Sequence, residues 1–494
     1  MMYQSTRDLS HKKYSAAEVI KMGLAPDGGL FIPETIPTLT AEDITALCGD
    51  SYPVRAAKIL SKFLSDYTYE ELLSDCESAY AASSFPGGAA PLVHVHDSIY
   101  SLELWHGPTA AFKDMALQIM PRLLSRALVK TGETRDALIL VATSGDTGKA
   151  ALEGYKDIER IKIMVFYPVD GVSRVQKLQM ATQTGNNVNV CAIRGNFDDA
   201  QTGVKKIFGD AAMAEALDGR GYVLSSANSI NWGRLAPQIV YYVSAYCDLL
   251  NAGTVRMGET MDVCVPTGNF GNIFAGYIAK LMGLPIRHFV CASNQNNILT
   301  DFLRTGTYDR NRAFHLTMSP SMDILISSNL ERLLCLSAGE ERTAAYMEDL
   351  KTKGAYSVDS DVLDKITANF SGYFADEQET AKTIKTYFEK YGYLADTHTA
   401  VALSCAEQYI ATLGDEVRPM VVDSTASPYK FAADVYESLG KTQPADPLAA
   451  LDELSETTGT EIPYPLRGLG ERTVRFTRVI DADEMPAAVL DYCN

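Results

Sequence analysis

No stretch of this chain holds the roughly 20 consecutive apolar residues that a helix needs to cross a bilayer. Positive charge is scarce: 44 Lys and Arg stand against 62 Asp and Glu, a formal net charge of −18. Phosphates repel such a surface, which argues against nucleic acid and anionic membranes as partners. An anionic substrate would have to be met by a few locally placed cations. Paired cysteines are missing as well. The nine at positions 48, 76, 191, 247, 264, 291, 335, 405 and 493 are scattered, odd in number and free of Cys-x-x-Cys spacing. That excludes a disulfide framework and the usual zinc sites. His94 and His96 alternate along one strand face with no further ligand nearby, so they read as polar strand residues and not as a metal pair. The first residues, Met1-Met2-Tyr3-Gln4-Ser5-Thr6-Arg7-Asp8, lack the apolar core of a signal peptide, and a cytoplasmic location is expected. Internal repeats and low-complexity segments are absent too.

What is present fits a globular protein of two or three domains: 494 residues, 46% hydrophobic and 21% charged. Residues 1–90 read as a mostly helical unit, with helices expected at 16–23, 41–47, 56–64 and 69–82 and a turn-rich stretch at 25–33. Phe85-Pro86-Gly87-Gly88 is a linker signal. From residue 92 onward, short aliphatic runs recur at 137–142, 161–166, 188–193, 262–265, 288–292 and 420–422, separated by helical stretches. Apolar runs without in/out alternation predict parallel strands buried on both faces, hence a layered α/β region over 91–494. A looser, proline-bearing connection at 440–470 precedes a strand-like piece at 472–480.

One lysine stands out. Lys113 ends the segment His106-Gly107-Pro108-Thr109-Ala110-Ala111-Phe112, just before an amphipathic run at 115–124. An amine at a loop-to-helix junction among apolar neighbours is disfavoured as a cation and can trap a carbonyl. Three expected strands end in turns with complementary chemistry. The first runs into Thr143-Ser144-Gly145-Asp146-Thr147-Gly148-Lys149-Ala150, where helix-start amides and hydroxyls suit a carboxylate or phosphate. A nucleotide P-loop fails there on glycine spacing, and Ala150 occupies the magnesium-ligand position. The second is Thr267-Gly268-Asn269-Phe270-Gly271-Asn272, a cup of amides at a helix start that suits one phosphate and lacks the dinucleotide glycine pattern. The third places Thr425 and neighbouring hydroxyls after 420–422. A carbonyl-trapping lysine, a phosphate cup and a strand-end hydroxyl together describe a pyridoxal 5'-phosphate (PLP) site.

At this point the chain resembles the long bacterial and fungal form of threonine synthase, nearly end to end. The motifs that carry the resemblance are Tyr3-Gln4-Ser5-Thr6-Arg7, the segments at 23–33, 106–114, 143–148, 226–234, 266–272 and 322–332, and Asp396-Thr397-His398-Thr399-Ala400. The resemblance implies a fold type II PLP enzyme, tryptophan synthase β-like, with two α/β lobes (the smaller roughly 125–230) behind a small N-terminal domain. It assigns Lys113 to the cofactor aldehyde as catalytic residue, Gly268, Asn269, Phe270, Gly271 and Asn272 to the cofactor phosphate, and Thr425 to the pyridine nitrogen. Ser144, Gly145, Asp146 and Thr147 match the loop that holds a substrate carboxylate, with Asp146 standing where many relatives carry asparagine. Asn228, Ser229, Asn231 and Arg234 offer donors at short spacing, and Arg234 is the natural cation for a substrate phosphate, unless it pairs with a carboxylate on a helix surface. The implied reaction takes O-phospho-L-homoserine and water to L-threonine and phosphate by γ-elimination and β-addition. The expected state is a monomer or weak homodimer. A phospho-lyase releasing a 2-keto acid and a non-catalytic binding protein are the alternatives.

Overall fold

The structure is a computed structural model that describes every residue except Ser144 and Gly171. Two sheets organise it. The larger runs in the order Phe370–Phe374, Ile286–Ser293, Met261–Pro266, Met420–Ser424, Ile99–Glu103, Leu92–His96. All neighbours are parallel except the last pair, an antiparallel hairpin. The smaller sheet is parallel throughout, in the order Val479–Asp481, Val188–Arg194, Ile161–Pro168, Asp136–Ala142, Tyr222–Ser225. Met261–Pro266 is buried at every position, which explains why it is apolar apart from Asp262, whose carboxylate is paired with Arg287: helices cover both faces. Every aliphatic run read as a strand is one. The piece expected at 472–480 shortens to Val479–Asp481, which adds an edge strand to the smaller sheet beside Val188–Arg194.

The N-terminal helices are Ala16–Met22, Ala41–Cys48, Tyr52–Phe63 and Tyr69–Ala79. Ser15, Thr40 and Thr68 cap three of them through reciprocal bonds with Glu18, Asp43 and Glu71, the local pattern that starts a helix without tertiary help. Tyr52–Phe63 begins earlier than expected because Pro53 sits in its first turn, where a missing N–H costs nothing. The turn-rich stretch contributes Phe31–Pro33, which pairs antiparallel with Tyr3–Ser5. These elements share one apolar core with residues of both sheets, such as Ile139 and Val263. Trp232, at the start of the long helix Trp232–Asn251, packs its ring 5.5 Å from that of Tyr3 and 5.8 Å from that of Phe63. Arg7 completes the docking with a two-pronged ion pair to Glu331, at 2.7 and 2.6 Å.

The amphipathic run after Lys113 is two helices, Asp114–Leu117 and Met120–Lys130. Pro121 explains the break, because its ring cannot continue a helix arriving from residue 117 but suits the first turn of a new one. Among the described residues no helix is long and apolar enough to cross a membrane.

Candidate active site

Three neighbouring parallel strands of the larger sheet deliver the Lys113 loop and two of the three turns singled out above. Ile99–Glu103 leads into the Lys113 loop, Met420–Ser424 into Thr425, and Met261–Pro266 into the cup, with Met420–Ser424 paired to both others. Parallel strands place all three turns at one edge, where α/β folds bind ligands. Main-chain bonds then tie two of the turns together. Leu104 N donates to Ser424 O at 3.0 Å, Phe112 N to Thr425 O at 2.8 Å, and Ser427 N to Ala110 O at 3.0 Å. Ala110 adopts a left-handed φ of 58° that a non-glycine residue takes up only when its surroundings impose it.

Asp114 stiffens the loop from inside. Its buried carboxylate accepts from the Thr109 amide at 2.8 Å and the Thr109 hydroxyl at 2.7 Å, and burial pushes its pKa up to about 7. A Cβ on Gly107 would lie 2.6 Å from that carboxylate, so only glycine fits there. Lys113 itself is half-buried, and among the described residues its amine has no hydrogen-bond partner. Loss of water pushes its pKa down to about 8; Asp146 opposes the fall, while Arg234 and Lys430 add to it. A substantial neutral fraction near pH 7 is what a carbonyl-trapping amine requires.

In the cup, Gly268 O accepts from the Ser327 hydroxyl at 2.6 Å, and Asn269 O accepts from the amide and the side chain of Asn329, each at 3.0 Å. With the carbonyls turned toward the 327–329 turn, the amides of Gly268, Asn269, Phe270, Gly271 and Asn272 have no acceptor among the described residues. Phe270 holds a left-handed φ of 61°, and the helix Gly271–Leu281 starts at once, adding its positive dipole end. Asn269 is exposed and Gly268 half-buried, but Phe270, Gly271 and Asn272 are buried, and buried amides without acceptors are expensive unless an anion fills the cup. Thr425 is buried, and its hydroxyl likewise takes no partner among the described residues. These open donors fit a phosphate, and with Lys113 beside them they fit pyridoxal phosphate.

The smaller sheet supplies the opposite side. Of the loop after Asp136–Ala142, Ser144 lies outside the described residues. Gly145 N and Gly148 N both donate to the Thr143 hydroxyl at 3.0 Å, so part of the expected amide set is engaged within the loop. Thr147 is half-buried at the start of the helix Asp146–Tyr155. Burial alone would raise the Asp146 pKa, but Lys430 at 2.9 Å, Lys113 and the Gln176 amide at 2.9 Å hold it well below the usual carboxylate range. Asp146 is therefore an anion that joins the smaller lobe to Lys430, just past Thr425 on the larger one.

Arg234 lies in the first turn of Trp232–Asn251, 5% exposed. One guanidinium nitrogen donates to Ala227 O at 2.9 Å, its Nε has no partner, and no carboxylate pairs with it among the described residues. Burial pushes its pKa down to about 10, and it still carries its charge. Asn228 is exposed, with its Oδ1 accepting from the Ser229 hydroxyl at 3.2 Å. Asn231 departs from expectation. Its Oδ1 caps the helix through Gly233 N and its Nδ2 donates to Ile20 O, both at 2.9 Å, so its polar groups are committed to structure. Sequence reasoning gave no role to Lys430, Gln176, Ser327 or Asn329. For the last two a signal existed, since both lie in the 322–332 motif.

Comparisons with known proteins cover nearly the whole chain. The family descriptions "Threonine synthase N terminus", "Pyridoxal-phosphate dependent enzyme" and "Threonine synthase, C-terminal" match residues 2–80, 86–422 and 399–489. Human threonine synthase-like 1 is 39% identical over 90% of this chain, which spans only 59% of that protein's length. Threonine synthase of Pseudomonas aeruginosa is 38% identical over 92% of this chain and 94% of its own. The crystal structure of PLP-bound threonine synthase from Brucella melitensis superposes with a TM-score of 0.88, at 37% identity and full coverage of both chains.

Proposed function

The chain belongs to the PLP-dependent threonine synthase family, and from that premise we propose that it converts O-phospho-L-homoserine and water to L-threonine and phosphate. The observation that carries the substrate is Arg234. A buried guanidinium without a counter-ion is costly to keep, and at a helix N-terminus it awaits an anion. The cup accounts for one phosphate, so Arg234 supplies a second anion site close enough to depress Lys113. Asn228 and Ser229 stand beside it as further donors.

When bound, pyridoxal phosphate provides an electron sink that makes protons near the substrate amine acidic. The chain's own groups do the rest. Lys113, neutral in part near pH 7, takes a proton from the substrate Cα, releases it to solvent, and is then free to take one from Cβ, acting as general base each time. Arg234 grips the phosphate on the Cγ oxygen and stabilises its departure. Thr147, at the start of Asp146–Tyr155, orients the substrate carboxylate, and the Asp146 anion keeps cations balanced around Lys113. The Thr425 hydroxyl would hold the pyridine nitrogen as a neutral partner, which would restrain electron withdrawal and favour elimination and replacement over transamination.

The test is to incubate the full chain with pyridoxal phosphate and O-phospho-L-homoserine and assay threonine and phosphate together. Equal release of both supports the reading. Phosphate released with a 2-keto acid and no threonine would convert it to a phospho-lyase, and no phosphate release at all would overturn it.

A further inference from the structure

A buried polar cluster beneath the site is used by none of the steps above. In the strand Met420–Ser424 three apolar residues are followed by Asp423, whose carboxyl is fully buried. Its Oδ2 is 2.8 Å from the Tyr242 hydroxyl, and the Asn272 side chain also lies close enough to favour its charged form. The same hydroxyl lies 2.6 Å from Oδ1 of Asn272, at the start of the cup helix, and 3.2 Å from Asn272 O. Tyr241 also reaches the Asn272 side chain, but its other contact is Gln238, at 3.1 Å, and not Asp423. Both tyrosines are fully buried on Trp232–Asn251, two turns after Arg234.

We propose that Tyr242 is a positioning residue that ties the two ends of the cofactor site together, through Asn272 at the phosphate cup and through Asp423 in the strand that delivers Thr425. The proposal rests on the reading of the cup and Thr425 as cofactor contacts. Asp423 lies two residues before Thr425, and an extended strand transmits any displacement of one to the other. Burial, which pushes the Asp423 pKa up to about 7, makes this carboxyl depend on its hydroxyl partner. Removing the Tyr242 hydroxyl releases Asp423 and leaves Asn272 held by Tyr241 alone, while removing the Tyr241 hydroxyl loosens only the cup.

The experiment compares Tyr242→Phe and Tyr241→Phe in the full-length enzyme, reading PLP affinity, the 31P resonance of the bound cofactor and its visible absorption band. Tyr242→Phe should weaken PLP binding about tenfold, the usual scale of one lost buried hydrogen bond, and shift both spectra. Tyr241→Phe should move the phosphorus signal and leave the absorption band in place. Identical behaviour of the two variants, or an unchanged Tyr242→Phe enzyme, overturns the bridge. Should Tyr242→Phe fail to fold, Asp423→Asn, which keeps an oxygen acceptor, and Asp423→Ala decide instead: PLP affinity retained in the first and lost in the second supports the bridge, and wild-type affinity in Asp423→Ala overturns it. Lys113→Ala serves as control in the same assay. If it too left PLP binding unchanged, the cofactor-site reading would fall together with the bridge; a change in Lys113→Ala alone would sink only the bridge.

Discussion

The two sheets present their strand ends to the same site, but they hold them differently. On the larger sheet the turns are fixed largely by main-chain bonds: Phe112 to Thr425, Ser427 to Ala110, Leu104 to Ser424, Asn329 to Asn269. On the smaller sheet the link to the site runs through side chains, with Asp146 held by Lys430 and Gln176, and Arg234 anchored by a single bond to Ala227 O. Main-chain bonds do not depend on rotamers, so the larger sheet presents a preformed seat for covalent chemistry. Side-chain contacts can be exchanged when a better partner arrives. Arg234, with a nitrogen unpaired, is poised for such an exchange.

The largest expected effect breaks the preformed side. Lys113→Ala should lower turnover about a thousandfold, on the scale of losing a positioned acid–base group, and abolish the borohydride-reduced adduct with the cofactor. An adduct that mapped to Lys149 or Lys430 instead would refute the assignment. Next comes the exchangeable side: Arg234→Gln should cost about 2–5 kcal/mol in kcat/KM for the phosphorylated substrate, with the cofactor spectrum intact. Unchanged kinetic constants would show that another group reads the phosphate.

A smaller effect probes how tightly the cup is built. A Cβ on Gly268 would lie 2.8 Å from the main-chain oxygen of Ser321, which cannot swing aside. Gly268→Ala should therefore raise the Kd for pyridoxal phosphate about tenfold, measured by fluorescence titration, with a near-native melting temperature. The smallest effect tests the electrostatic link between the lobes. Asp146 favours the charged form of Lys113, so Asp146→Asn should move the Lys113 midpoint below its value of about 8. Capture of a small aldehyde by Lys113, followed against pH in the cofactor-free full chain, should then begin at lower pH than in the wild type. A midpoint that rose would contradict the sign of the interaction.

Local chemistry carried much of this molecule's legibility. Apolar runs without alternation announced buried parallel strands, and Ser15, Thr40 and Thr68 announced helix starts, because burial on two faces and capping both leave their marks on neighbouring residues. The Lys113 loop and the glycines of the cup were visible for the same reason, since tight turns and open amides demand particular residue types in immediate succession. The ends of the helical run after Lys113 were misjudged only where a proline allowed either a stop or a start.

What no window of residues contained was adjacency. Strand order in the larger sheet decides that Lys113, Thr425 and the cup share one edge, and that order follows from which apolar faces pack together across the whole chain. The same long-range packing gave Lys430 to Asp146 and Glu331 to Arg7, turned Asn231 into a cap, and left Arg234 buried without a counter-ion among the described residues. A residue type limits the bonds a side chain can make, but only its surroundings decide which of them are already taken.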